Sequence, residues 1–396
     1  MKIVKNKQPK TWRKVKLGEL ADITSSKRIY LSDYVKSGIP FFRSKEIIEK
    51  HDSQKISTEL YISEEKFKRI KEVFGAPVEN DLLLTSVGTI GVPYLVKKDD
   101  KFYFKDGNLI WFRNFKNSNP KFIYYWFESR FGKEAINSIM IGSSQSAITI
   151  VGLKNLEILA PSSTEQNSIV SILSAFDDKI EVNNKISKNL EEMAQAIFKE
   201  WFVDFRLSRY KKTKFVNSEL GKIPKGWEVK KITEIIKRLP VGKKYDNKNA
   251  LPKGEIPILD QGQSGFIGYH DGEPGVRASI ESPVAVFTNH TCYYRLMTQN
   301  FSCIQNVIPY IGDKGYPTLF VYFLTKGKIK MQEYKGHWPE FEEQIFTIPP
   351  VSFAQKFSDY IQPIIKKMVG VEKENQKLAA LRDLLLPKLM SGEIKL

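Results

Sequence analysis

Residues 171–201 read SILSAFDDKIEVNNKISKNLEEMAQAIFKEW. In this stretch Ile172, Phe176, Lys179, Asn183, Ile186, Leu190, Met193 and Ile197 follow one another at alternating steps of four and three, and Trp201 comes next. A mean spacing of 3.5 residues keeps one seam of an α-helix facing a single partner helix. A second run has the same spacing: Ile361, Ile364, Met368, Val371, Asn375, Leu378, Leu381 or Arg382, Leu385 and Leu389. Pro161-Ser-Ser-Thr164 supplies capping residues for the first helix. Pro363 marks either the start of the second or a kink in it, and Gly392 lies just beyond its end. At about 1.5 Å per residue, 30–40 residues give a rod of roughly 45–60 Å. Each seam carries one asparagine, Asn183 and Asn375. These are either unremarkable polar seam residues or a pair that meets and fixes register at a cost in stability.

Outward from the helices, the chain repeats. Trp12-Arg-Lys-Val-Lys-Leu17 with Ile23 is matched by Gly226-Trp227-Glu-Val-Lys-Lys-Ile232 with Ile236. Gly38-Ile39-Pro40 is matched by Gly254-Glu255-Ile256-Pro257. Leu156-Glu-Ile-Leu-Ala-Pro161 is matched by Gln344-Ile-Phe-Thr-Ile-Pro-Pro350, and Gln166 and Gln355 stand near the start of each helix. Solenoid repeats are far shorter than this offset, so the repeating unit is a whole domain plus a helix. The expected fold class is α+β: two globular α/β domains separated by two long antiparallel coiled-coil helices, with an internal pseudo-twofold repeat. The expected boundaries are 1–160, 161–208 (central helix), 209–349 (linker and second domain) and 350–396 (C-terminal helix).

A chain of 396 residues with 41% hydrophobic and 27% charged residues can bury more than one core. Its 62 Lys and Arg outnumber 45 Asp and Glu, for a net charge of +17. The excess is uneven: +10 over residues 1–160, −4 over 161–205, +8 over 206–349 and +3 over 350–396. Two basic blocks of domain size favour a polyanionic partner, with double-stranded DNA the expected one. The longest charge-free stretch, Ala135 to Leu153, holds Asn, Gln, Thr, four Ser and two Gly, which excludes a lipid-spanning helix there. The N-terminus has no apolar core of a secretory signal, so a cytoplasmic location is expected. Two cysteines, Cys292 and Cys303, exclude a disulfide framework.

DNA base edges are read by Arg, Lys, Asn, Gln, Ser and Thr on loops and helix ends. The first block offers Arg43, Ser44 and Lys45, then Ser86 and Thr89 around Val87-Gly88, then Ser143, Ser144 and Gln145 after Gly142. The second offers Gln261, Gln263 and Ser264, then Asn289 and His290, then His337. Each could singly be a solvated turn, but as sets they suit two different short sequences. Tyr124-Tyr125-Trp126-Phe127 reads as core packing. The expected seam residues are Phe176, Asn183, Ile186, Leu190, Met193 and Ile197 against Met368, Val371, Asn375, Leu378 and Leu385.

Catalytic signatures are missing. There is no Gly-x4-Gly-Lys-Ser/Thr phosphate loop, and Gly262, Gly265 and Gly268 are not followed by a convincing helix. Pro349-Pro350 lacks the Asn or Asp that would precede it in an amino-methyltransferase motif. The four histidines and two cysteines have no metal-ligand spacing, and no metal site is expected. Glu64-Glu65-Lys66 and Glu333-Tyr334-Lys335 could be half of a nuclease site, but such triplets arise by chance in a Lys- and Glu-rich chain.

The layout and several segments resemble the specificity subunits of Type I restriction–modification systems. The segments are Glu165-Gln166 with Leu173-Ser-Ala-Phe-Asp-Asp-Lys-Ile180, Asn189-Leu-Glu-Glu-Met-Ala-Gln195, Phe198-Lys-Glu-Trp-Phe202, and Leu384-Leu-Leu-Pro-Lys-Leu-Met-Ser-Gly-Glu-Ile394. Gly142-Ser-Ser-Gln145 and Gly336-His-Trp-Pro339 look like the loops that precede each helix in that family. The resemblance implies two target-recognition domains, each reading half of a bipartite DNA site. It also implies spacer helices that dock two methyltransferase subunits, and restriction subunits in the full complex. It implies no catalytic residue in this chain, with S-adenosylmethionine, ATP and Mg²⁺ belonging to the partner subunits. The alternatives are a self-contained DNA-modifying or DNA-cleaving enzyme with an unrecognised active site, and a duplicated scaffold.

Overall fold

The computed structural model describes residues 12–52, 54, 56–142, 146–207, 210, 212–262, 265–331, 333 and 335–396. It is a mixed helix-and-sheet protein whose chain divides into two compact units, Met1–Ile180 with Gln376–Leu396, and Glu181–Asn375. The divisions fall inside the two 40-residue helices, Ser163–Phe202 and Val351–Met390. Core packing explains this, because each helix end is part of a domain core. Ile169, Leu173, Leu386, Leu389 and Met390 belong to the core of the first unit. Ala194, Phe198, Phe202, Phe353, Phe357 and Ile361 belong to that of the second.

In the first unit the strand Arg13–Lys16 pairs antiparallel with Glu157–Ala160, so the ends of the block lie side by side. The main sheet runs in the order Asp22–Thr24, Leu109–Arg113, Leu82–Thr85, Pro93–Leu95. Leu82–Thr85 is buried along its whole length, as an apolar run covered on both faces should be. Beside the sheet, Phe41 and Phe42 pair in parallel with Tyr103 and Phe104.

The second unit repeats the scheme. Glu228–Lys231 pairs antiparallel with Ile345–Ile348. Its main sheet runs Ile236–Arg238, Val307–Gly312, Val284–Thr288, Tyr294–Met297, and Val284–Thr288 is again buried throughout. Ile258 and Leu259 pair in parallel with Ser302 and Cys303. The Ile-Pro landmarks of the sequence, Ile39-Pro40 and Ile256-Pro257, thus open the corresponding strand in each unit.

The long helices run antiparallel within each unit. In the first, Arg382 Nη1 donates to Asp177 Oδ1 at 2.7 Å, and the Tyr125 hydroxyl donates to Asp177 Oδ2 at 2.5 Å. In the second, Asn183 Nδ2 donates to Asn375 Oδ1 at 2.8 Å, while Trp201 stacks on Phe353 at 5.3 Å. Arg382, not Leu381, takes the seam position, and Leu381 is exposed. The seam also departs from the even four-three spacing. Met193 is half exposed, and Ala194, which is fully buried, faces inward with Phe198. Steps of four from Leu190 to Ala194 to Phe198 put these residues on one face of the helix, and Ala194 and Phe198 belong to the core of the second unit. Pro363 neither starts nor interrupts the second helix, which begins at Val351.

Candidate nucleic-acid interface

The loops singled out in the first block converge on one segment, Asp106-Gly107-Asn108. The Ser86 amide donates to the Asn108 carbonyl at 2.9 Å, and its hydroxyl donates to the Gly107 carbonyl at 3.0 Å. The Ser44 hydroxyl donates to the same Asn108 carbonyl at 3.2 Å. The Ser86 carbonyl accepts from the Ile148 amide at 3.1 Å, and Val87 bridges to Ala147. Ala147 in turn exchanges two 2.9 Å bonds with Ile141. Ile141 and Ala147 are therefore held beside the Ser86–Thr89 turn. The Thr85 hydroxyl closes that turn by donating to the Thr89 carbonyl at 2.6 Å. Gly88 sits at its tip with φ 73°, a left-handed conformation that favours glycine.

Together these elements line an open groove of about 610 Å³ that includes Ser44, Lys45, Gln54, Val87, Gly88, Thr89 and Asn108. Lys45 and Thr89 are exposed on it. Ser86 is buried and spends its hydroxyl on the Gly107 carbonyl, so it holds the groove instead of facing it. Arg43 is engaged by Glu46, whose carboxylate accepts from its guanidinium at 2.9 Å and from its amide at 2.8 Å. Burial pushes the Glu46 carboxyl up, and the Arg43 bonds outweigh it, so Glu46 ionises more readily than usual. Ser143, Ser144 and Gln145 lie outside the described residues.

The second unit builds the same junction. The Asn289 amide donates to the Asn306 carbonyl at 2.9 Å, and the Asn289 carbonyl accepts from the His337 amide at 2.8 Å. The Asn289 side chain also accepts from the Trp338 amide at 2.7 Å. Gln261 joins through its side-chain oxygen, which accepts from the His290 amide at 3.1 Å, and its carbonyl accepts from the Thr291 hydroxyl. His290 Nδ1 lies 2.9 Å from the Lys335 carbonyl and donates to it. Gln263 and Ser264 lie outside the described residues.

His337 departs from the reading role expected of it. It is fully buried, with Nδ1 3.0 Å from Glu340 and Nε2 3.1 Å from the Glu333 carbonyl. Its backbone occupies the place that Ile148 has in the first unit, one step past the loop. The exposed neighbour Lys335, which bonds Glu340 at 2.8 Å, lies on the loop itself. Sequence reading missed Asn108 and Asn306, whose carbonyls brace the two junctions. Their signal was in the repeat: Gly107-Asn108-Leu109-Ile110 corresponds to Gln305-Asn306-Val307-Ile308.

The helix pair carries two polar clusters. In the first unit Asp177 links Arg382 to Tyr125, and Gln166 fastens the helix start. Gln166 is buried, accepts from the Asn119 amide at 2.9 Å and donates to the Pro161 carbonyl at 3.1 Å. Gln355 instead bonds Asp359 within its own helix, so the two glutamines are not equivalent. In the second unit Asn183 Nδ2 reaches both Asn375 and Glu374, and Asn375 Nδ2 donates to Asn184 at 2.8 Å. Asn183 is buried and its Oδ1 has no partner among the described residues.

Two α/β units that each build the same kind of junction, each with a long helix following, define a duplicated domain–helix protein. Residues 9–192 match the family described as Type I restriction modification DNA specificity domain. The MjaIX specificity subunit, a Type I restriction enzyme subunit of Methanocaldococcus jannaschii, is 28% identical over 98% of this chain and 95% of its own length. The HindI specificity subunit of Haemophilus influenzae is 23% identical over 64% of this chain and 73% of its own. The crystal structure of a Type I S subunit from M. genitalium shares the fold, with a TM-score of 0.55 at 16% identity over 98% of both chains. The first half of the chain thus matches the Type I restriction–modification DNA specificity domain, and the whole chain is similar to Type I restriction enzyme specificity subunits. No helix among the described residues is long and apolar enough to cross a membrane.

Proposed function

We propose that this chain is the non-catalytic reader of a Type I complex. In this reading residues 1–160, and residues 209–349 after a linker, are two target-recognition domains that engage the two halves of a bipartite DNA site. The antiparallel helices form a coiled-coil spacer that sets the gap and docks two methyltransferase subunits, and restriction subunits complete the assembly in the cytoplasm. S-adenosylmethionine, ATP and Mg²⁺ serve those partners.

The observation that carries the proposal is the repeated junction. Ser86 and Asn289 make the same pair of main-chain bonds, while the side chains around them differ. A common scaffold with unlike exposed groups suits two unlike half-sites. Lys and Arg in both blocks supply sequence-independent phosphate attraction, which makes binding strongly salt-dependent. Lys45 adds to that phosphate attraction, and polar groups such as the exposed Thr89, with Gln145, supply the discrimination.

The test is methylome sequencing of a strain carrying the system. A bipartite methylated motif is expected, and exchange of residues 12–160 for another member's domain should alter one half only. Methylation or cleavage by the purified chain alone, given S-adenosylmethionine and Mg²⁺, would support a self-contained enzyme and overturn the proposal. So would alteration of both halves by the exchange.

A further inference from the structure

The turn Tyr30–Asp33 exposes two large apolar side chains, Tyr30 at 64% and Leu31 at 86%. A single exposed leucine is ordinary. This one is held in place. The Asp33 carboxylate accepts from the Tyr30 amide at 3.0 Å, and the Asp33 amide donates back to the Tyr30 carbonyl at 2.9 Å. Lys66 anchors the same carboxylate at 3.0 Å and neutralises it. Ile29, immediately before the tip, is buried in the core. Leu31 is thus presented on a turn fixed from below and from both sides.

Its surroundings are cationic. Lys27, Arg28 and Lys36, three to five residues from it along the chain, are all exposed, and Lys27 Nζ lies 4.3 Å over the partly exposed Phe74 ring. The turn is also tied to the groove. Arg28 Nε donates to Asp106 at 2.9 Å, the Lys27 amide donates to the Tyr103 hydroxyl at 2.8 Å, and the Ser26 hydroxyl donates to the Phe104 carbonyl at 2.7 Å. Asp106 opens the segment whose next two residues hold Ser86 and Ser44. The turn and the candidate reading groove share one brace.

We propose that Tyr30 and Leu31 form an apolar wedge that presses into the base stack of the half-site engaged by the first unit, with Lys27, Arg28 and Lys36 on the flanking phosphates. The proposal rests on the reading of that unit as a DNA-contacting domain. Apolar residues ringed by cations unstack a base step and let the duplex deform, so sequence is sensed through the ease of deformation at a position no polar group touches. A DNA occupant is favoured over a protein one by the charge around the tip, where Asp33 and Asp106 are each paired with a cation, Lys66 and Arg28, and Lys27 and Lys36 add further positive charge.

The test uses the full chain assembled with its methyltransferase subunits and a duplex carrying the motif found by methylome sequencing. 2-Aminopurine is placed in turn at each purine of the half-site that changes on exchange of residues 12–160, apart from the methylated adenine. The wild-type complex should brighten 2-aminopurine at one step. Leu31→Ala should abolish that signal and weaken binding about tenfold, as expected for loss of one buried leucine side chain. It should leave the salt dependence unchanged, and Leu31→Met should restore both signal and affinity. Because Leu31 is so exposed, the alanine variant should melt like the wild type. Equal affinity and equal fluorescence for Leu31→Ala overturn the wedge while leaving the reader role intact. Unchanged DNA binding with weakened assembly onto the methyltransferase subunits overturns it in favour of a protein-docking surface. No preference of the wild-type complex for the motif removes the reader role and the wedge with it.

Discussion

Replacing both Asn183 and Asn375 by leucine should stabilise the second unit. Asn183 is 1% exposed and its Oδ1 has no hydrogen-bond partner among the described residues. Leaving a buried acceptor unmade costs about 1–3 kcal/mol. A leucine in each position gains roughly 1.5–3 kcal/mol where burial is complete, and less at the half-buried Asn375. Against this stand three side-chain bonds, Asn183 to Asn375, Asn183 to Glu374 and Asn375 to Asn184. Each contributes about 0.5–1.5 kcal/mol net. The balance favours the double variant by roughly 1–3 kcal/mol, which raises the melting temperature of a unit this size by about 2–10 °C. Asn183→Leu alone gains less, because Asn375 Oδ1 then loses its donor. Differential scanning calorimetry of the full chain reads the shift. The cost should appear in specificity, as methylation of motifs with a second gap length, since an apolar seam no longer rejects a slipped pairing. A double variant that melts below the wild type would refute the reasoning. It would mean that the asparagine cluster contributes more than the apolar packing that replaces it.

Arg43→Ala strips the guanidinium from the fully buried Glu46 carboxylate. It should cost the first unit about 1–3 kcal/mol after allowing for solvent screening of the half-exposed arginine, read as an earlier thermal transition. Lys45→Ala should leave melting unchanged, weaken binding to all sequences alike and lower the salt slope by about one, whereas Gln145→Ala should relax one half-site only. His270 is held neutral: burial pushes its pKa down, the Gly272 amide and the Tyr245 hydroxyl donate to Nδ1, and Nε2 donates to the Ser302 hydroxyl at 2.8 Å. The unfolded chain therefore takes up this proton first as pH falls. The contribution is intact above about pH 6.5 and declines below it, and His270→Gln should flatten that part of the stability–pH curve. Adding one turn of four residues to both long helices should lengthen the gap of the methylated motif by about two base pairs, at about 1.5 Å per residue and 3.4 Å per base pair, without changing either half.

The helices and the duplication were legible because both rest on periodicity. The four-three spacing located the pair, and Asn183 and Asn375 were picked from opposite seams because each interrupts an apolar row. Met193 misled because a heptad reading assigns every large apolar residue at its phase to the seam, whereas burial is settled by how closely the helices approach. Ala194, one residue on, is the one buried in the core of the second unit. The recognition loops were legible as sets of polar residues. Which member holds and which faces outward was not, since that depends on partners far away in sequence. Ser86 faces Gly107, and His337 faces Glu333 and Glu340, in ways no local pattern records.

The junction itself explains why the two blocks can share so little loop sequence. Its defining bonds run from the Ser86 and Asn289 amides to the Asn108 and Asn306 carbonyls, and from the Ile148 and His337 amides back to the Ser86 and Asn289 carbonyls. All are main-chain groups, which every residue but proline carries in full. Side chains at these positions can therefore change from Ser to Asn or from Ile to His without dismantling the support, and the exposed tips between them are freer still. A reader built this way can take on a new half-site by substitution in the loops alone. The strands beneath them, Leu82–Thr85 and Val284–Thr288, are buried along their whole length and must stay as they are.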